Sequence, residues 1–144
     1  MIDFGLENST NYLIATDVSG GIPEVLFEQM KTMIEENLKD ISGYNARIAN
    51  FDHSFHYITT VTEENISNYK TIHTGMVGGG TDISVVVANL MEDEELVILS
   101  DGYMYGIETL ENIKDRVTIV LFNDTPTMSN YILNKGFKNV VVVK

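Results

Sequence analysis

The chain has 144 residues, and its 21 acidic against 9 basic side chains give a formal net charge of −12. So large an acidic excess argues against nucleic acid and against anionic membrane surfaces as partners, because both are bound through clustered Lys and Arg. The absence of Cys excludes disulfides, thiolate nucleophiles and cysteine-ligated metal sites, and the length favours one domain over residues 1–144.

The amino-terminal segment "MIDFGLENSTNY" lacks the basic region and the apolar run of a secretory signal. No apolar stretch of the sequence approaches the roughly 18 residues that a membrane span requires. We therefore expect a soluble, cytoplasmic protein.

A strand and a helix are predicted first along the chain. The apolar run at 12–16, "YLIAT", is typical of a strand that is buried on both faces. Pro23 then suits the first turn of a helix, where its missing N–H costs nothing. Apolar residues recur at helical spacing from Val25 to Leu38, and Gly43 is expected to end this helix.

The next segments predict a hairpin and a second helix. "NARIANFD" and "HSFHYITTV" read as two strands that turn near Asp52 and His53. "TEENISNYK" is polar, and we expect a short helix or a loop there. In "TDISVVVANLM" the β-branched residues favour a strand, but the spacing of the apolar residues up to Leu90 favours a helix with Thr81 or Asp82 as its N-cap. We predict the helix.

The remaining segments alternate between strand and helix. "ELVILSD" is predicted as a buried strand that ends in Asp101, "GIETLENIKD" as a helix, "RVTIVLFND" as a strand, "TMSNYILNKG" as a helix and "NVVVVK" as a strand. This alternation indicates βαβ units. The predicted fold class is a three-layer α/β fold, with a doubly wound, mainly parallel sheet and an antiparallel edge hairpin.

Oxygen-bearing side chains follow several of the predicted strands and loops. In such a sheet, ligands bind beyond the carboxyl ends of the strands. Three segments bring oxygen ligands to this edge: "TDVSGG" with Asp17 and Ser19, "GGGTD" with Thr81 and Asp82, and "LSDGY" with Asp101. Carboxylates and hydroxyls are the ligands of hard cations such as Mg²⁺, Mn²⁺ or Ca²⁺. A bound cation would also relieve the repulsion between two neighbouring aspartates.

These three loops resemble those of a von Willebrand factor A (VWA) domain. "YLIATDVSGGIPEVLFEQM" is similar to the opening of such a domain, whose metal-ion-dependent adhesion site (MIDAS) has the pattern Asp-x-Ser-x-Ser, then a Thr, then an Asp. "VGGGTD" resembles its threonine loop and "LVILSDGY" its third loop. The resemblance spans about residues 10–123. It is closest to the VWA-like domains at the carboxyl terminus of bacterial predicted metallopeptidases.

The resemblance implies a VWA/Rossmann-like domain with one divalent cation, Mg²⁺ in the first place and Mn²⁺ or Ca²⁺ otherwise. The implied metal ligands are Asp17, Ser19, Thr81 and Asp101. It also implies a protein partner whose carboxylate completes the metal shell, such as an AAA+ ATPase or another intracellular protein, so that the metal serves docking and not catalysis. Gly21 departs from the pattern, because it stands where the family has its second Ser. A water could replace that hydroxyl.

Two other functions stay open. Aspartates at strand ends with a hard cation also describe a Mg²⁺-dependent phosphoryl-transfer or hydrolytic enzyme, although the three segments carry no Lys, Arg or His to assist such a reaction. Loss of the site at Gly21 would leave a metal-free interaction domain. Taken singly, Ser19 and Asp101 could merely form turns, and Thr81 or Asp82 could merely cap a helix.

The other polar and aromatic residues near these loops carry weaker signals. The chain has three histidines: His53, His56 and His73. They do not predict a zinc site, because residues at i and i+3 of a strand face opposite sides and no Cys supports them. Asp52 is expected to stabilise the hairpin turn. Tyr103 and Tyr105 could line the rim of the metal face and suit a partner surface, or pack on a neighbouring loop.

Overall fold

The computed structural model of the chain describes residues 2–20, 22–69, 80–122 and 125–143. Within these ranges six strands form one sheet: β1 (Asn11–Asp17), β2 (Asn45–Phe51), β3 (Phe55–Val61), β4 (Glu94–Ser100), β5 (Val117–Phe122) and β6 (Asn139–Val143). Their order across the sheet is β3-β2-β1-β4-β5-β6. β2 and β3 are antiparallel, and every other neighbouring pair is parallel. The predicted mainly parallel sheet with an antiparallel edge hairpin is confirmed.

β1 and β4 lie side by side at the centre of the sheet, and the chain leaves them in opposite directions. From β1 it continues to β2 on one side, and from β4 to β5 on the other. The crevice between the carboxyl ends of β1 and β4 is therefore the topological switch point, where doubly wound sheets bind ligands. The register pairs Thr16 with Leu99, so the next residues along the two strands, Asp17 and Ser100, are neighbours at this crevice.

The sheet is covered by helices within the described ranges: α1 (Glu24–Lys39), α2 (Ser84–Val87), α3 (Pro126–Leu133) and the 3₁₀ segments Ile66–Asn68 and Ile107–Arg116. α1 begins directly after Pro23, as predicted. It ends at Lys39, before the predicted Gly43, because the next two amides bond only three residues back and tighten the last turn. No helix in the described part of the chain is long and apolar enough to cross a membrane.

α2 is shorter than the sequence predicts, and its cap differs. The apolar spacing extends to Leu90, but the helix ends at Val87. The Asn89 and Leu90 amides bond three residues back, as in 3₁₀ turns, and consecutive β-branched valines lower the helix propensity of this segment. The N-cap position belongs to Ile83. The prediction that Thr81 or Asp82 occupies it is therefore wrong.

The segment "GIETLENIKD" is helical, as predicted, but its helix is a 3₁₀ run and not an α-helix. The run Ile107–Arg116 is interrupted at Ile113, whose φ is −127° and ψ 18°. A 3₁₀ segment has three residues per turn, so side chains three apart lie on one side. Ile107 and Leu110 have this spacing, and both are buried against the sheet.

Both faces of the sheet are buried. Along β1, Tyr12 and Ile14 belong to the apolar cluster under α1, whereas Leu13 and Ala15 belong to the cluster on the opposite face. Burial on both sides explains why the strand is a continuous apolar run, as in parallel strands that are covered by helices. Asp17 ends this run on the same side as Leu13 and Ala15, because side chains alternate along a strand.

Candidate metal centre

Asp17 ends β1 as a fully buried carboxylate. Its Oδ1 accepts the Ser19 amide at 2.9 Å and the Thr81 hydroxyl at a longer 3.4 Å. Its Oδ2 accepts the Ser100 hydroxyl at 2.7 Å. None of the ion pairs between described residues involves this carboxylate. Among the described residues, its charge is stabilised by hydrogen bonds from one backbone amide and two hydroxyls.

Ser19 lies in the turn that joins β1 to α1, and its side chain is largely buried. Its amide is held by Asp17, and its carbonyl accepts the Ile22 amide at 3.0 Å. The turn thus keeps Ser19 at the edge of the sheet, beside the Asp17 carboxylate. Gly21, where the family pattern has a hydroxyl, lies outside the described residues, as do the loop glycines at 78–79.

The Thr81 loop is tied to two other parts of the site. The Thr81 carbonyl accepts the Tyr105 amide at 2.9 Å, which joins this loop to the segment after β4. The Asp82 amide donates to the Asp52 carbonyl at 2.9 Å, which joins it to the β2–β3 turn. The Thr81 hydroxyl donates to Asp17 Oδ1. Its side chain therefore belongs to the crevice and not to a helix cap.

Asp82 has a structural role in the described part of the site. Its Oδ1 accepts both the amide and the hydroxyl of Ser84, at 3.0 and 2.7 Å. These contacts turn the carboxylate toward the start of α2. They are consistent with its exclusion from the predicted ligand set.

Asp101 follows β4 directly and is half-buried. Its Oδ1 accepts the Tyr103 amide at 3.1 Å. Burial raises the pKa of Asp101 above its ordinary value of 3.8, and the nearby charge of Asp17 raises it further, against the lowering effect of the Tyr103 amide. The two carboxylates therefore interact unfavourably when both are ionised.

Around the Asp17 carboxylate the crevice thus brings together Ser19 through its amide, the Thr81 hydroxyl and the nearby carboxylate of Asp101. All four side chains carry oxygen donors, which suit Mg²⁺, Mn²⁺ or Ca²⁺ and not a soft metal. Among the described residues, no group of three or more His, Asp or Glu side chains is placed to hold a metal. A cation in the crevice must therefore draw on hydroxyl oxygens and on water.

Ser100 is the site residue that the sequence prediction missed. It is fully buried, donates to Asp17, and accepts the Gly102 amide at 3.0 Å. A signal was present, because Ser100 is a polar residue in the run "LVILS" and lies on the same face as Leu96 and Ile98. That face is the one on which Asp17 lies.

Asp52 stabilises the hairpin turn, as predicted, and also contacts two histidines. Its Oδ1 accepts the Ser54 amide at 2.8 Å and lies 3.1 Å from His56 Nε2 and 3.8 Å from His53 Nδ1. The two rings approach one oxygen because His53 lies in the turn and not in a strand. Burial opposes ionisation of Asp52, but the Ser54 amide and the histidines together hold its pKa below 3.8. His73 lies outside the described residues.

Tyr103 and Tyr105 follow Asp101 closely in the chain and are strongly exposed, at 61% and 80%. Such exposure does not fit close packing against a neighbouring loop, and their place at the rim of the metal face stays a prediction. Large exposed aromatic side chains are common in protein interfaces.

No family model matches the sequence, and no curated protein does. Solved structures do resemble the fold. BatB from Bacteroides thetaiotaomicron aligns with 94% of this chain and 90% of its own, at a TM-score of 0.69 and 13% identity. An aerotolerance-related membrane protein from Bacteroides fragilis aligns with 94% of this chain and 92% of its own, at 0.71 and 13%. A von Willebrand factor type A protein from Catenulispora acidiphila aligns with 95% of this chain and 39% of its own, at 0.68 and 11%.

Likeness at such low identity concerns the fold alone. The chain has a VWA-like α/β fold, and the resemblance that the three loops suggested is confirmed at that level.

Proposed function

We propose that the chain is a protein-binding module that holds a divalent cation, Mg²⁺ in the first place, at the carboxyl ends of β1 and β4. The observation that carries this proposal is the Asp17 carboxylate, which is fully buried at the topological switch point and joins no ion pair within the described residues. Three hydrogen bonds offset part of the cost of burying this charge, and a bound cation would neutralise it. The half-buried Asp101 nearby adds a second negative charge.

The residues present fit a hard cation. Asp17 and Asp101 supply carboxylate oxygens, and Ser19 and Thr81 supply hydroxyls, at one edge of the sheet. Mg²⁺ readily keeps several waters in its shell, so Gly21 removes one protein ligand without removing the site. The bound cation would supply positive charge for a carboxylate from a partner protein.

Charge limits which partners can reach this site. The chain carries −12, so an acidic partner is repelled at long range and attracted only by the local field of the cation. We expect binding through one exposed Asp or Glu of the partner. An AAA+ ATPase, or another intracellular protein, is proposed from the VWA resemblance, and a cytoplasmic location follows from the same expectation.

Binding is favoured over catalysis by the composition of the crevice. The segments "TDVSGG", "GGGTD" and "LSDGY" contain no Lys, Arg or His. Phosphoryl transfer needs such groups to stabilise the transferring phosphate or to move protons. Hydrolysis of phosphate esters that is abolished by Asp101→Ala would argue for the enzyme instead.

Calorimetric titration of Mg²⁺, Mn²⁺ and Ca²⁺ into the wild type and into Asp17→Asn tests the proposal. We expect heat and a thermal shift with the wild type, and neither with the variant. Asp115→Asn is the matched control, because Asp115 is exposed and distant in sequence from the crevice. Absence of both signals in the wild type with every cation would refute the metal site and leave a metal-free interaction domain.

A gain of function is expected from Gly21→Ser, which restores the hydroxyl of the family pattern. A side-chain ligand that replaces a water should tighten Mg²⁺ binding. Unchanged affinity would mean that no water stands in for a hydroxyl at this position.

A further inference from the structure

A cavity of about 310 Å³ lies beside the candidate cation site, between the segment after β4 and helix α3. The side chains that line it are Tyr103, Met104, Tyr105, Ile107, Met128 and Tyr131. Of the described residues in its lining, none is charged, although the chain as a whole carries 21 acidic side chains. Its volume is at the lower end of the ~300–1,000 Å³ that ligand pockets span. It has room for a large side chain and not for an extended cofactor.

The wall of the cavity is continuous with the candidate cation site. The Tyr103 amide donates to Asp101 Oδ1 at 3.1 Å, and the Tyr105 amide donates to the Thr81 carbonyl at 2.9 Å. One short segment therefore positions two of the proposed cation ligands through its backbone and lines the cavity with its side chains. Gly102 permits this closeness, because a Cβ at that position would lie 2.7 Å from the Met128 side chain.

The exposed aromatic rings of the cavity and the charge at its edge indicate the kind of ligand. Tyr103 and Tyr105 are mostly exposed, and Tyr131 is about half exposed. A cluster of exposed aromatic rings is typical of a binding surface. Lys135 Nζ lies 4.8 Å from the centroid of the Tyr131 ring, so a positive charge stands beside one of the lining side chains. A large apolar side chain complements the uncharged wall, and the Lys135 charge favours an acidic partner segment around it.

We infer that this cavity, which we call the tyrosine cavity, binds a large apolar or aromatic side chain of the partner protein. That side chain lies within three positions of the carboxylate that binds the cation, because Tyr103 is only two residues from Asp101 and contacts it, and three extended residues span about 10 Å. The site then recognises an acidic residue with a large apolar residue close to it on either side, and not an isolated carboxylate. This inference rests on the proposed function, because the cation fixes the carboxylate end of the segment.

Short capped peptides with a fluorescent label provide the test. One peptide has a single aspartate in a glycine background, and six others carry a phenylalanine one, two or three positions before or after it. Fluorescence anisotropy with Mg²⁺ present gives their affinities. We expect the best aspartate–phenylalanine peptide to bind about tenfold more tightly than the aspartate–glycine peptide. Replacing its aspartate with asparagine should abolish binding.

Variants on α3 separate the tyrosine cavity from the cation site. Tyr131→Ala should remove the gain from phenylalanine, and Met128→Ala should reduce it, while Mg²⁺ affinity and aspartate–glycine binding are retained. Tyr57→Ala is the matched control, because Tyr57 is a similarly exposed tyrosine on the edge strand β3. This control should preserve the full gain.

Every other outcome refutes either the proposed cation site or the tyrosine cavity. A wild type that binds none of Mg²⁺, Mn²⁺ and Ca²⁺ refutes the proposed function and this inference with it. A wild type that binds Mg²⁺ but gains nothing from phenylalanine, or keeps its gain in Tyr131→Ala, refutes the tyrosine cavity alone. Binding to phosphatidylcholine vesicles, or self-association in sedimentation, that is lost in Tyr131→Ala assigns the cavity to lipid or to a second copy and also refutes it.

Discussion

Ser100 holds Asp17 in place across the boundary between β4 and β1. The Ser100 hydroxyl donates to Asp17 Oδ2 at 2.7 Å, and both side chains are fully buried. The same hydroxyl oxygen accepts the Gly102 amide at 3.0 Å. One side chain thus connects the carboxylate at the end of β1 to the backbone after β4. The Ser100 hydroxyl binds Oδ2, whereas Oδ1 accepts the Ser19 amide and the Thr81 hydroxyl.

Ser100→Ala should therefore damage both folding and cation binding. The variant leaves Asp17 Oδ2 and the Gly102 amide without this partner, so the free energy of unfolding should fall by about 1–3 kcal/mol. Groups that orient a metal ligand typically change metal affinity by about 10- to 100-fold, and we expect Mg²⁺ binding to weaken within that range. Urea denaturation and calorimetry measure the two effects. Ser42→Ala, at an exposed serine, should change neither; an unchanged Mg²⁺ affinity in Ser100→Ala would contradict the orienting role.

Asp101→Asn should stabilise the cation-free protein at neutral pH. The pKa of Asp101 is raised above 3.8 in the folded state, chiefly by burial, so the folded protein binds this proton more tightly than the unfolded chain. Stability from this group is present below the unfolded pKa and is lost as pH rises through the folded pKa. At neutral pH the ionised carboxylate is therefore unfavourable, and the neutral amide removes that penalty. We expect a melting temperature a few degrees higher than that of the wild type.

With Mg²⁺ present, the wild type should melt at a higher temperature than Asp101→Asn, because a ligand that binds the folded state alone stabilises it by mass action. The wild type should gain melting temperature with millimolar Mg²⁺, and Asp101→Asn should gain little. Scans at acid pH, where the wild-type carboxyl is protonated, should show no advantage for the variant. A variant that responds to Mg²⁺ as strongly as the wild type would exclude Asp101 from the metal shell.

Asp52 should give the opposite pH dependence. Its pKa is held below 3.8 in the folded state, where the Ser54 amide and His56 outweigh the effect of burial. Stability from this group is present above the unfolded pKa and is lost as pH falls through the folded pKa. Asp52→Asn should therefore be less stable than the wild type at neutral pH, by about 1–3 kcal/mol. This difference should shrink in acid.

Urea denaturation at neutral and at acid pH measures the difference in unfolding free energy between Asp52→Asn and the wild type. Asp115→Asn, at an exposed carboxylate, is the control and should follow the wild type throughout. A deficit of Asp52→Asn that is the same at neutral and acid pH would show that shape, and not charge, is what the hairpin turn requires.

The sequence was sufficient to place the carboxylates of the site. Asp17 and Asp101 follow continuous apolar runs, which predict parallel strands buried on both faces. In a doubly wound sheet such strands end at one edge, so the positions of both residues follow from pattern and topology. The VWA-like fold was predicted from the resemblance of three loops that are far apart along the chain, and the solved structures confirm it at the level of the fold.

The missed features depend on contacts that no local pattern contains. Ser100 and Asp17 are 83 residues apart, and their hydrogen bond follows from the β1–β4 register. α2 has helical apolar spacing, yet its valines and the backbone bonds of Thr81 and Asp82 to other loops limit it to Ser84–Val87. The helical spacing was outweighed there by the low helix propensity of the valines and by tertiary hydrogen bonds.

Two glycines with nearly the same φ angle allow a matched test of the Thr81 loop. Gly106 has φ +80° and Gly136 has φ +81°, so Ala is disfavoured at each by about 1–2 kcal/mol. A Cβ on Gly136 would meet nothing within 4 Å, whereas a Cβ on Gly106 would lie 2.7 Å from Asp82 Oδ1. Asp82 holds the amide and the hydroxyl of Ser84 at the start of α2, and Thr81 precedes it. The clash at Gly106 should therefore displace the loop that carries Thr81.

Gly106→Ala should lose more stability than Gly136→Ala, and it alone should weaken Mg²⁺ binding. Urea denaturation gives the difference in unfolding free energy, which we expect to be at least about 1 kcal/mol, as for other overpacked sites. Calorimetry gives the Mg²⁺ affinity, which should stay at the wild-type value in Gly136→Ala because that glycine follows α3, away from the crevice. Equal stability losses in the two variants would mean that Asp82 moves away from the added methyl group without a cost in free energy. A normal Mg²⁺ affinity in a destabilised Gly106→Ala would separate Thr81 from the cation, since a displaced hydroxyl cannot serve as its ligand.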